Sequence, residues 1–239
     1  MIGLLRKVVL FAACGLMIAS AASAAGEGVP SPGNSTVPPC ITLAGSLAGT
    51  PDDVGLFIVT VRDLANNPLS GASVVVDFSG CTDIAICSDQ LDLGVVVNCA
   101  AKTVRGFTCA TGRVRFGLLG GSNGSGNATT LLGGAKIYAN GTLIASPTAA
   151  VFDLDGANGV GINDLSVWLT DFGTFGNPAF GRSDYDCSGS VGINDLSVWL
   201  TEFGNGSSAA SCSVRCFSAQ EVRSGDEPPS LGPRPVSCP

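Results

Sequence analysis

The feature that most constrains this chain is a duplication. Residues 153–173 read DLDGANGVGINDLSVWLTDFG, and residues 184–204 read DYDCSGSVGINDLSVWLTEFG. From Val160 and Val191 onward the copies differ only at Asp171 against Glu202. A run this long at a fixed offset marks a duplicated structural unit. Each copy is a cluster of carboxylates followed at once by an apolar segment at helical spacing. Any fold of this chain must therefore hold two loop–helix units.

The spacing of the oxygens sets the chemistry. Calcium is a hard cation that takes about six to eight oxygen ligands, and a twelve-residue loop supplies them from positions 1, 3, 5, 7, 9 and 12. In the second copy Asp184, Asp186 and Ser188 occupy positions 1, 3 and 5. Gly189 makes the turn, Ser190 offers its carbonyl, Val191 is an apolar pin and Asp195 closes the loop. Gly192 at position 9 leaves that place to water. Cys187 points outward in this reading, because a soft thiolate does not suit calcium. In the first copy Asp153, Asp155, the Gly159 carbonyl and Asp164 take the equivalent places, with Val160 as the pin. Position 5 is Ala157, which offers no oxygen, and position 6 is Asn158 where glycine is expected. Two calcium sites are expected, the second better formed.

Ile162, Leu165, Leu169 and Phe172 recur at helical spacing with Trp168 alongside. Ile193, Leu196, Leu200, Phe203 and Trp199 repeat the pattern. The stripes predict two short helices that pack on each other about an approximate two-fold axis. Both tryptophans belong to the core, and Gly173 and Gly204 follow the helices as C′ residues.

The rest of the chain reads as β structure. Leu56–Asp63 puts Phe57, Val59 and Val61 on one face, and Ala72–Phe78 does the same with Val74, Val76 and Phe78. Thr111–Leu118 places Val114, Phe116 and Leu118 inward. Asn140-Gly141 is a tight-turn signal between strands at Ala135–Tyr138 and Thr142–Ala145. Gly120–Asn127 reads as a mobile glycine- and serine-rich loop. Short strands separated by turn signals predict an antiparallel β-sandwich over residues 39–150.

The ends of the chain have a different composition. Arg6 and Lys7 precede the apolar run Val8–Ala19 and the small residues Ala22-Ser23-Ala24, the pattern of a secretory signal over residues 1–25. A lipoprotein cut before Cys14 would leave Leu16–Ala22 unexplained. Residues 26–38 read as a linker and 207–239 as a disordered tail. The expected location is secreted or at the cell surface, with no integral membrane segment in the mature chain.

Several function classes are excluded by composition. The chain has no histidine, which removes Ser-His-Asp and Cys-His catalysis and histidine-ligated zinc. A formal charge of −7 argues against a nucleic-acid partner. Asp52, Asp53 and Asp77 form a conceivable acid–base set, but surface acids on turns and strands explain them better, and no enzyme activity is expected. None of the ten cysteines falls in a CxxC pair, so disulfides or packed thiols are the better reading, and the nine that remain without Cys14 leave at least one thiol free or paired between molecules. Cys81 with Cys87, and Cys99 with Cys109, could close local loops, with many other pairings open.

Two resemblances follow from these residues. VTVRDLANNPLSGASVVVDF with the later TGRVRFGLL resembles bacterial immunoglobulin-like modules of the invasin and adhesin kind, which implies a spacer or adhesive role. The paired loop–helix repeat at 151–206 resembles a type I dockerin. The fold expected is mostly β, an immunoglobulin-like sandwich followed by a small α-helical dockerin-like calcium-binding domain. The dockerin resemblance implies docking to a cohesin-like or cell-surface protein, in a setting of polysaccharide breakdown. It also implies that loop positions 10 and 11, here Ile162 with Asn163 and Ile193 with Asn194, help choose the partner. The helix positions that carry a basic pair in cellulosomal dockerins are Thr170-Asp171 and Thr201-Glu202 here. Alternatives are a structural calcium-binding adhesin with no cohesin partner, and a carbohydrate-binding accessory module with polysaccharide as its ligand.

Overall fold

A computed structural model describes residues 28–44, 46–47, 50–51, 53–81, 83–88, 90, 94–123, 134–157, 159–175, 178–204 and 215–216. The expected leader at 1–25, Asp52, Asn158, residues 124–127 of the glycine-rich run and all but Arg215–Cys216 of the tail lie outside these residues. The protein is mostly β, with two α-helices among the described residues.

The strands in chain order are β1 (Cys40–Leu43), β2 (Ser46–Leu47), β3 (Thr50–Pro51), β4 (Leu56–Thr60), β5 (Ser73–Asp77), β6 (Ile84–Cys87) and β7 (Val96–Asn98). They continue with β8 (Thr103–Phe107), β9 (Arg113–Gly117), β10 (Gly120–Ser122), β11 (Lys136–Ala139), β12 (Thr142–Ala145), β13 (Thr148–Val151) and β14 (Arg215–Cys216). The helices are α1 (Ile162–Asp171) and α2 (Ile193–Gly204). Gly173 follows α1 with φ +80°, as its C′ place predicts, whereas α2 runs through Gly204.

One sheet has the order β12-β11-β5-β8-β7, and β4 pairs separately with β9. The alternation read in the sequence sets their faces: Val59, Val61, Val74, Val76, Phe78 and Phe116 are fully buried. The two layers meet closely at Gly106 of β8. A Cβ there would lie 3.0 Å from Val114 Cγ2 and 3.2 Å from the Phe116 ring. Asn140 and Gly141 both have positive φ (45° and 81°), the geometry that closes the β11–β12 hairpin tightly.

Four expectations are corrected here. The residues read as a linker, 26–38, are ordered from residue 28 and strap the free edge beyond β4. The Ser31 N–H donates to the Arg62 carbonyl at 2.8 Å, and Thr36 and Thr60 exchange backbone hydrogen bonds at 2.8 and 2.9 Å. The strap answers a physical need, since β4 pairs with β9 on one side and its outer backbone groups require partners. The glycine-rich run begins not as a loop but as β10, paired with β6. Arg215–Cys216, inside the presumed tail, adds a third strand to β6. Finally, the pairing is not wholly antiparallel: β1 and β13 run parallel, Cys40 opposite Thr148 through Leu43 opposite Val151.

The last correction decides where the repeat sits. β13 ends at Val151 and the first loop begins at Asp153, so the boundary expected at 150/151 falls inside a strand. Val160, Trp168, Tyr185, Val191 and Trp199 belong to the same buried cluster as the sheet residues. The Tyr185 ring stacks on Phe152 with centroids 4.6 Å apart, and its hydroxyl donates to the Val151 carbonyl at 3.1 Å. The Trp199 indole N–H donates to the Phe152 carbonyl at 3.4 Å. The repeat and the β region share one core.

Candidate metal loops and helix faces

Each loop gathers three carboxylates. Asp153, Asp155 and Asp164 bring donor oxygens within 4.8 Å of one another, and Asp184, Asp186 and Asp195 do the same. Oxygens bound to a common calcium at about 2.3–2.6 Å can lie no more than about 5 Å apart, so both sets fit such an ion. All donors are hard oxygens, which suits calcium better than a soft metal.

The position-12 acids are the hubs of the loops. The Leu154 and Asp155 N–H groups donate to Asp164 Oδ1 at 2.6 and 2.8 Å, and the Gly161 N–H donates to Oδ2 at 2.6 Å. In the second copy Tyr185 and Asp186 donate to Asp195 Oδ1 at 2.7 and 3.1 Å, and Gly192 donates to Oδ2 at 2.8 Å. One carboxylate thus ties the start of each loop to the start of its helix. Gly161 immediately precedes α1, and the bond from Asp164 satisfies an N–H that the helix leaves orphaned. The acid also lies at the positive end of the helix dipole.

The electrostatics of the loops differ. Burial pushes the Asp164 carboxyl up to about 6, backbone bonds from Asp155 and Gly161 oppose this, and the charges of Asp153 and Asp155 add to it. Asp184 is also raised, first by burial and then by the charge of Asp195, against hydrogen bonds from Gly189 and Ser188. The more exposed Asp186 is lowered, chiefly by its hydrogen bond with the Ser188 hydroxyl. The Ser188 hydroxyl lies 3.2 Å from the Ser190 carbonyl, to which it donates, so the two oxygens expected at positions 5 and 7 converge. Ala157 at the equivalent of Ser188 is exposed and donates its N–H to Asp155 Oδ1 at 2.8 Å. Gly159 has φ +71°, whereas the second loop has its left-handed glycine at Gly189, φ +81°. Gly159 corresponds in the repeat to Ser190, whose φ is not positive.

The apolar pins are buried, but Val191 pairs with the segment after α1. The Gly173 N–H donates to the Val191 carbonyl at 2.9 Å, and the Val191 N–H donates to the Thr174 carbonyl at 3.0 Å.

The helices present the reverse of the expected face. Asp164, Trp168 and Asp171 of α1 are buried, as are Asp195, Trp199 and Glu202 of α2. The stripe read as a mutual packing surface lies about 100° round the helix from that face. Ile162 is 66% exposed and Ile193 69%, and Leu169, Phe172, Leu200 and Phe203 are exposed with them. Leu165 and Leu196 are half-buried against the core. Each tryptophan pins its own helix to the β region, which leaves the smaller apolar residues outward. Asn163 and Asn194, with Ile162 and Ile193, stand on the surface at the helix starts.

The single helix difference is buried. Arg182 clamps Asp171 through two 2.7 Å bonds, Nε to Oδ2 and a terminal nitrogen to Oδ1, and the Ser183 hydroxyl donates to Oδ2 at 2.6 Å. Thr170-Asp171 and Thr201-Glu202 therefore do not present an acidic pair to a partner. The sequence offered a signal for this: a lone arginine between two acidic copies.

The cysteines also depart from expectation. Cys187 at loop position 4 is bonded to Cys40 at the start of β1, with Cα atoms 5.7 Å apart. Its side chain thus points at the β region. Cys81 is a buried free thiol, so it does not pair with Cys87, which is disulfide-bonded, as are Cys99 and Cys109. Burial and the neighbouring Asp83 charge push the Cys81 thiol up to about 12. The other acids considered serve turns: Asp77 accepts the Ser79 N–H at 2.7 Å, and Asp53 is exposed at the start of a short 3-10 turn.

Comparison with protein-family models, curated proteins and solved structures found no match. No helix among the described residues is long and apolar enough to cross a membrane.

Proposed function

We propose that the protein is an exported, non-catalytic calcium-binding protein whose duplicated unit attaches it to a protein partner in the manner of a dockerin. The observation that carries this reading is the recurrence of a three-aspartate set at the same loop positions in both copies, with donor oxygens within 4.8 Å. Asp153, Asp155, Asp164 and the Gly159 carbonyl would hold one ion. Asp184, Asp186, Asp195, Ser188 and the Ser190 carbonyl would hold the other. Calcium supplies the positive charge that offsets three crowded carboxylates. Asp164 and Asp195 carry that order to the helix starts through their backbone bonds.

The exposed stripes support docking. Ile162, Asn163, Leu169 and Phe172 on α1 have counterparts in Ile193, Asn194, Leu200 and Phe203 on α2. Exposed apolar side chains aligned on two helices suit a partner with an apolar groove, and a cohesin-like or cell-surface protein is proposed.

Titration calorimetry of the whole protein tests the metal half. Two calcium ions should bind, and Asp186→Asn should remove the tighter one; no heat, or two sites after that change, overturns the reading. Biolayer interferometry against purified cohesin domains tests the docking half. Calcium-dependent binding should be lost in a Leu169→Asp, Leu200→Asp variant that still titrates two ions.

A second reading is favoured by the Cys40–Cys187 bond and the shared core. The repeat would then be a calcium-stiffened end of an adhesin's β module with no cohesin partner. Retained calcium binding with no affinity for any cohesin domain would select it.

A further inference from the structure

We propose that Cys187 is a positioning residue for the second metal loop, and that its bond to Cys40 holds a left-handed turn on which the carboxylate geometry depends. The proposal rests on the calcium reading of that loop.

Cys187 has φ +61°, a conformation that side chains other than glycine adopt at a cost. The equivalent residue of the first loop is Gly156, φ +74°, which reaches the same turn freely. The turn directs the next two N–H groups. Ser188 donates to Asp184 Oδ1 at 3.0 Å and to Asp186 Oδ1 at 2.9 Å, and Gly189 donates to Asp184 Oδ2 at 2.8 Å. Both outer carboxylates of the set are therefore oriented by backbone that Cys187 steers. Without a tether, residue 187 would relax toward negative φ and swing those N–H groups away. Cys40 is a fixed anchor, because it is buried and its strand is in register with β13. The first loop achieves by glycine what the second achieves by a covalent link.

The test uses the full chain in an Asp155→Asn background, which silences the first loop. Cys40→Ser should weaken calcium binding at the second loop about tenfold. In chelator it should also speed amide exchange at Ser188 and Gly189. Adding Cys187→Gly to Cys40→Ser should restore both, because glycine adopts the turn without the link. A general tether would not be rescued this way, so a double variant as weak as Cys40→Ser overturns the proposal. So does a Cys40→Ser protein unchanged in both readouts. If the background protein takes no calcium, the calcium reading fails, while amide exchange still decides whether Cys187 holds the turn. Should Cys40→Ser not fold, Gly156→Ala tests the same turn in the first loop of the otherwise natural chain. It should weaken that loop about tenfold, and an unchanged affinity overturns the proposal.

Discussion

The two copies of the repeat share their helices almost residue for residue, yet they are held in different ways. The first follows directly from β13, with Asp153 buried beside β10 and its N-terminal neighbours continuous with the sheet. The second is reached through an Arg182 clamp and a disulfide, and its Asp186 and Ser188 face solvent. Identical sequence has not produced identical surroundings. A duplicated unit placed on an asymmetric scaffold buries what each site allows, and some of the positions that differ are where a copy meets its own neighbours. Leu154 against Tyr185, Gly156 against Cys187 and Asp171 against Glu202 are such positions.

Breaking the clamp should have the largest effect on this asymmetry. Arg182→Ala leaves Asp171 buried and uncompensated, and chemical denaturation should show a loss of about 3–5 kcal/mol. The next effect belongs to the first copy alone. A Cβ at Gly121 would lie 2.9 Å from Asp153 Cβ, so Gly121→Ala should destabilise by about 1–3 kcal/mol. It should weaken calcium at the first loop and spare the second, as calorimetry would read. The tryptophans separate the copies more finely. The Trp199 N–H is bonded to Phe152, while the Trp168 N–H is buried with no hydrogen-bond partner among the described residues. Trp199→Phe should therefore cost about 1 kcal/mol more than Trp168→Phe in the same denaturation measurement.

The smallest effect is one of pH. The folded-state carboxyl of Asp164 is raised from 3.8 to about 6, so its ionised form costs stability above pH 6. In chelator the melting temperature should rise as pH falls from 7 towards 5, with Asp184 acting in the same direction. Asp186 is lowered, so its opposite contribution is lost only below the ordinary aspartate range, outside that window. In calcium the rise should vanish or reverse, because protonation competes with the ion. A melting temperature that falls from pH 7 to 5 in chelator would contradict this account of the first loop.

The strand faces were legible because alternation has one meaning on a sheet. Val59, Val74 and Phe116 are buried where the pattern puts them. The aspartate sets were legible because loop spacing is local. The helix faces were not, for a physical reason. Ile162, Leu169 and Phe172 form a clean apolar stripe, but a larger tryptophan on the adjoining face, flanked by acids with buried partners, takes the contact with the core. An acid such as Asp171 counts as polar in a pattern and becomes a core residue only once Arg182 is beside it. Pairings between distant segments were likewise invisible: the strap at 28–38, the parallel β1–β13 pair and the Cys40–Cys187 link each join residues that no local rule connects.

That link also sets how the molecule would respond to being pulled. Tension applied between the strap and the end of α2 passes from Cys40 to Cys187 through sulfur, leaving the 147-residue separation between them off the load path. Stretched out, that segment would measure about 500 Å. The strands from β4 to β13 and the whole first loop lie within it, so they could lose their fold under force without lengthening the protein. Only the strap, Cys40 and the chain from Cys187 through α2 carry the strain. A protein tied to a partner through α2 would behave as a short, stiff connector, its β region sheltered from the forces it transmits.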